Sequence, residues 1–145
     1  MVSTITTLDY AHLLARHLNN DNLQCATIAV LFELGIPTSR IGFDYLVHAI
    51  VLRYENPAML VTKEIYPAIC SEYGGNLNNF QVEQAIRSAI SAGWKRRDET
   101  VWSFYFTPDG DEKMHKPTNS QFISKVAYFL KLLLNCYEKE VRYEE

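Results

Sequence analysis

Residues 78–90 read NNFQVEQAIRSAI. Val82, Ala85, Ile86, Ala89 and Ile90 fall at the i, i+3, i+4, i+7, i+8 spacing that gives a helix one apolar face. Asn78 or Asn79 suits the N-cap, and Gln81 stands three residues after Asn78, where a capping box needs an amide or carboxylate. Gln81, Gln84, Ser88 and Ser91 then share the opposite side, flanked by Arg87. Glu83 and Arg87 are spaced i,i+4 in the favourable order. Amides and a guanidinium on one helix face are what a solvated surface carries. They are also the groups that meet base edges in a major groove.

Immediately upstream lies LVTKEIYPAICSEYGG, residues 60–75. A helix starting near Lys63 puts Pro67 within the first turn or just after it, where a missing N–H costs little. Ile65, Ala68, Ile69 and Tyr73 are its expected buried stripe, and Gly74-Gly75 ends it. Two helices joined by a short Gly-containing turn form the pattern of a helix-turn-helix, which an ordinary helical hairpin shares.

Further out, the chain reads as helices. Leu8, His12, Leu13 and Leu14 suggest a first helix ending near Asn19-Asn20. A second runs from about Asn22 to Leu34, with Leu23, Ala26, Val30 and Leu34 at helical spacing and Gly35 and Pro37 as its stop. A third starts near Thr38 or Ser39, carries Tyr45, Leu46, Ala49, Ile50 and Leu52, and ends before Pro57. Trp94 closes the helix of the opening stretch. TVWSFYF (100–106) is helix or strand by periodicity, and TPDGDEKMH (107–115) is a loop. KPTNSQFISKVAYFLKLLLNCY (116–137) opens on a Thr118–Gln121 capping box. Its apolar residues cover more than one narrow stripe, as in a helix deeply buried or shared with a partner. Phe122, Val126, Phe129, Leu130 and Leu133 are the expected self-association surface.

The fold class is therefore all-α, a compact domain of six to seven helices. Residues 1–21 are an N-terminal helical extension, 22–137 the domain and 138–145 a charged tail. A chain of 145 residues is long enough to bury one core. No apolar run approaches the roughly 18 residues of a membrane span, and the N-terminus lacks the basic n-region of a signal peptide. Cys25, Cys70 and Cys136 are odd in number and far apart, which points to a reducing cytoplasmic setting, nucleoid-associated if DNA is bound. The cysteines are expected in apolar, inert surroundings. Net charge is −3, yet residues 58–97 hold 5 basic and 3 acidic side chains and are the one positive third. No Cys-x-x-Cys, His-Glu-x-x-His or Gly-x-Ser-x-Gly occurs, and His12 and His17 do not share a helix face. Gly74-Gly75 follows a helix and makes a poor phosphate cradle. No catalytic residue, metal site or cofactor is expected.

LFELGIPTSRIGFDYLVHAI, VTKEIYPAI, VEQAIRSAI…GW and KPTNSQFI resemble the C-terminal DNA-binding domain of the sporulation master regulator of spore-forming Firmicutes, stage-zero protein A. The likeness runs from about Asn22 to Leu134. It implies a six-helix domain in which TKEIYPAICSEY and NNFQVEQAIRSAI form the helix-turn-helix. It also implies transcription regulation and pairing of domains on tandem DNA sites. The family's regulator carries a receiver domain with a phosphorylated aspartate, and this chain is too short for both. An effector without a phosphoreceiver is expected. The turn before the recognition helix is about two residues longer than the family's. The family's recognition helix has arginines where Gln81 and Gln84 stand and a histidine where Ser88 stands.

The leading expectation is a sequence-specific DNA-binding regulator, with the helix from Asn79 to Trp94 in the major groove. Gln81, Gln84, Arg87 and Ser88 are candidates for base edges, and Lys63, Asn79, Lys95, Arg96 and Arg97 for phosphates. Partners are double-stranded DNA, a second copy as homodimer or tandem neighbour, and RNA polymerase or another regulator, with no membrane. The alternative is an interaction module that dimerises or modulates a full-length regulator.

Overall fold

A computed structural model of the chain describes residues 22–107 and 113–144. The expected first helix, with His12 and His17, lies outside the described residues. Six helices and no strand occur among those described. Helix α1 spans Leu23–Glu33. At its end Ile36 N–H donates 3.0 Å to Leu31 O, and Gly35 takes φ 77°. This is a left-handed helix stop that a side chain would strain. Helix α2 spans Ile41–Glu55, starting slightly later than expected because Pro37 to Arg40 form a turn.

Helix α3 begins with a π-turn, Val61–Ile65, and continues as α-helix over Tyr66–Tyr73. The backbone N–H of Ile65 donates to Leu60 O and that of Tyr66 to Val61 O, one residue wider than α-helical bonding. The widening sits just before Pro67. In a regular helix the Pro67 ring would press on the carbonyl four residues back, so the displaced carbonyls let the proline stay inside a continuous helix. Ile65 and Ile69 are buried as expected, but Tyr66 is buried in place of Tyr73, which is 40% exposed and lies edge-on to Tyr45.

Gly74 and Gly75, at φ 71° and 64°, turn the chain into α4, Asn79–Lys95. Both glycines have open space around them, so backbone conformation and not crowding calls for the residue type. The capping box is complete: Gln81 N–H donates 2.9 Å to Asn78 Oδ1, and Asn78 N–H donates 3.0 Å to Gln81 Oε1. TVWSFYF resolves as helix, within α5, Glu99–Phe106, capped by Asp98. Helix α6 spans Asn119–Glu144 and runs on through the stretch expected to be a separate charged tail. Its capping box between Thr118 and Gln121 also forms.

Helix α2 lies at the centre, with α1, α4 and α6 against it. Gly42 makes the α2–α4 crossing possible. A Cβ there would sit 2.2 Å from Ala85 O and 2.9 Å from the Ala89 Cβ. Trp102 of α5 is fully buried and donates its Nε1–H to Leu34 O at 3.0 Å. The self-association surface expected on α6 is corrected by the same core. Phe122, Val126 and Leu130 are 0% exposed, Leu133 is 7% exposed, and Phe129 lies against Phe104 and Tyr105. These side chains are consumed inside the domain because α6 packs across α2 and α5 at once. Among the described side chains of α6, the large apolar groups left exposed are Tyr128 and Leu132.

Candidate nucleic-acid interface

The two sides of α4 divide as its periodicity requires. Val82, Ile86, Ala89 and Ile90 are at most 1% exposed, and Gly93 is buried with them. Gln81, Gln84, Arg87 and Ser88 are all exposed on the other side, and Phe80 is 68% exposed beside them. The helix is held from two directions. Helix α3 supports its start. The first residue of α6 supports its second turn: Asn119 Nδ2 donates 3.1 Å to Tyr66 Oη on α3 and 3.0 Å to Glu83 O on α4. Burial pushes the Tyr66 phenol above its ordinary pKa, and the bond from Asn119 works against that shift. The neutral phenol is thus the form that the joint accommodates.

Between α3, α4 and the start of α6 runs an open groove of about 690 Å³. Phe80, Glu83, Arg87 and Ile90 line one wall, Thr62 and Tyr66 another, and Lys116 to Ser120 the third. The charges on the α4 wall are partly neutralised. Arg87 is ion-paired with Glu83, whose second carboxylate oxygen accepts 3.1 Å from Gln84 Nε2. An exposed i,i+4 pair of this kind is worth a few tenths of a kcal/mol, so a competing acceptor opens it readily.

This arrangement is a helix-turn-helix with its second helix presented outward. The sequence matches the family described as Sporulation initiation factor Spo0A C terminal over residues 27–130. The chain belongs to that family. The matched stretch contains α2 to α5 whole and the first half of α6, so the helix-turn-helix and the groove both lie inside it. The Spo0A C-terminal family is one of DNA-binding effector domains of sporulation regulators, and the all-helical fold agrees with it.

Within this Spo0A-type frame the expected phosphate contacts separate into two groups. Lys63 on the π-turn and Lys95 at the end of α4 are exposed, with no bonded partner among the described residues. Asn79 is exposed at the first position of α4, its Oδ1 near Cys70 Sγ at 3.6 Å. Arg96 and Arg97 are committed elsewhere. Arg96 Nε donates 2.7 Å to Gly35 O, closing the end of α1. Arg97 lies 3.7 Å over the Trp94 ring, donates 2.8 Å to Trp94 O and pairs with Glu99. Their charge remains, but their forks face the protein.

Two cations outside the expected contact set, Arg40 and Lys116, reach α4 from outside the helix-turn-helix. Lys116 Nζ donates 2.9 Å to Ser91 Oγ, and Arg40 Nη1 donates 2.6 Å to Ser88 Oγ. Lys116 lies in KPTNSQFI, but no periodicity links it to Ser91, 25 residues earlier. Of the cysteines with described side chains, Cys70 is half-buried and packs against the hydrophobic core as expected, whereas Cys25 is exposed.

Proposed function

We propose that this protein is a sequence-specific DNA-binding transcription regulator that lays α4 in the major groove. The carrying observation is the exposed row of Gln81, Gln84 and Arg87 opposite a fully buried stripe, on a helix held by α3 and by Asn119 of α6. Gln84 stands at the centre of that face. With its amide released from Glu83 it offers the donor–acceptor pair that suits adenine N6 and N7. Lys63, Lys95 and Lys116 surround the face and supply phosphate contacts, which set register and most of the affinity. Family membership supports DNA as the partner. Pairing of two copies on adjacent sites belongs to the same proposal, through surfaces other than the buried residues of α6.

The test is fluorescence anisotropy with duplexes selected from a random pool, across a salt series. Three to five phosphate contacts give a log–log salt slope of roughly −3 to −5. A protein-interaction module is the second reading. Ile28, Phe32 and Ile41 favour it, exposed at 39%, 70% and 50% around α1. Absence of binding to every duplex pool at low salt selects that reading.

A further inference from the structure

The arginines with described side chains are used in different ways. Arg53, Arg96 and Arg97 each donate to a backbone carbonyl, and Arg87 is paired with a carboxylate. Arg40 does neither. It is the N-cap residue of α2, with extended backbone (φ −94°, ψ 142°), and its side chain does not cap the helix. It is exposed, and no ion pair joins it to Asp44 one turn on or to any other acid among the described residues. Its partner among the described residues is the hydroxyl of Ser88, 2.6 Å away on the outer face of α4.

An exposed bond to a neutral hydroxyl contributes little stability, and an arginine loses rotamer freedom in making it. Its effect is to fix an uncompensated positive charge beside the recognition face. Since Ser88 Oγ accepts from Arg40, its own hydrogen is left to donate. A guanidinium and a hydroxyl held side by side match the non-bridging oxygens of a phosphate. The ordering cost of the long side chain is then met before DNA arrives.

We infer that Arg40, steadied on Ser88, contacts a DNA phosphate and so supplies, from the N-cap of α2, an uncompensated positive charge beside the outer face of α4, whose own Arg87 is paired with Glu83. This rests on α4 being the groove-binding helix. It makes Ser88 a positioning residue for Arg40 and takes it out of the base-reading set. Arg40 then flanks α4 on the side of Gln81 and Ser88, away from the groove that Arg87 and Lys116 line.

The experiment is anisotropy across a salt series on one selected duplex, for wild type, Arg40→Gln, Arg40→Lys and Ser88→Ala, with site selection and thermal melts for each. Arg40→Gln is expected to weaken binding about tenfold and alike for all sequences. It should make the salt slope shallower by about 0.9, with the selected sequence unchanged. Arg40→Lys keeps the charge and therefore the slope, with a loss of only a few-fold. Ser88→Ala likewise keeps the slope, with a modest loss from the freed side chain. Melting temperatures should move by no more than about 2 °C, because the bond is exposed. If wild type binds while Arg40→Gln leaves the slope as it was, or changes the selected bases and not the slope, the inference is overturned and the reading of α4 stands. If wild type binds no duplex, both fall.

Discussion

The inner and outer sides of α4 belong to one helix and obey different rules. The inner side meets α2 at Gly42 with so little room that one methyl group would strike the Ala85 carbonyl. The outer side carries amides, two hydroxyls and a paired arginine in contact with little but solvent and two long cations. One side is fixed by volume and the other is free to vary in chemistry. A helix built this way can change its outer chemistry without changing how it folds.

Gly42→Ala is the strongest way to break that comparison. The added Cβ pushes against backbone, which cannot swing aside, so a loss of about 3 kcal/mol or more is expected in urea or thermal melts. The glycine's own cost in a helix, roughly 1 kcal/mol against alanine, is small beside it. An unchanged melt would mean that α2 and α4 do not cross there.

Asn119→Ala removes a donor from both Tyr66 Oη and Glu83 O. A loss of about 1–2 kcal/mol is expected in urea melts. Asn78→Ala should cost about 1 kcal/mol through the lost cap. Its DNA affinity should fall further than its stability implies, since the start of α4 frays at the groove.

Gln84→Arg sharpens the comparison from the outer side. Stability should move by less than about 0.5 kcal/mol, while one position of the selected site shifts toward guanine. The discrimination at that position should be about 1–3 kcal/mol, measured by site selection. If the selected sequence does not change, the outer face is solvent-facing surface and not a reader of bases.

The smallest expected effect is alkaline. Burial raises the Tyr66 phenol above its ordinary pKa of 10.0. A raised folded-state pKa means that the contribution of neutral Tyr66 is fully present below about 10 and is lost as pH rises beyond it. Tyr66→Phe should therefore flatten the loss of melting temperature as pH rises above about 10. A wild-type and variant pair that fall in parallel would separate Tyr66 from the alkaline limb.

What was legible in the sequence follows from what is local. The stripe of α4, the Asn78–Gln81 and Thr118–Gln121 boxes and the Gly35 stop each lie within a few residues, and all form. TVWSFYF stayed ambiguous because its aromatics pack on several sides, so no period stands out. The apolar excess of α6 was visible, but periodicity says how much surface is apolar and not what covers it. Here α2 and α5 cover it. The cations were least legible. Arg96 reaches Gly35 O across 61 positions and Arg40 reaches Ser88 across 48. Nothing in the run Lys95-Arg96-Arg97 distinguishes a residue that closes another helix from one left for solvent.

The π-turn ahead of Pro67 has a consequence for how such a sequence could have changed over time. Deleting one residue from Val61–Ile65 would restore regular winding and drive the proline ring against the carbonyl four positions back. Replacing Pro67 with alanine while the extra residue stays leaves a wide turn whose added N–H has room for a bond. The two features are therefore epistatic, and their order matters. The extra residue can precede the proline, but the proline cannot outlast the extra residue. A deletion variant in this turn should fold only when Pro67 is replaced as well.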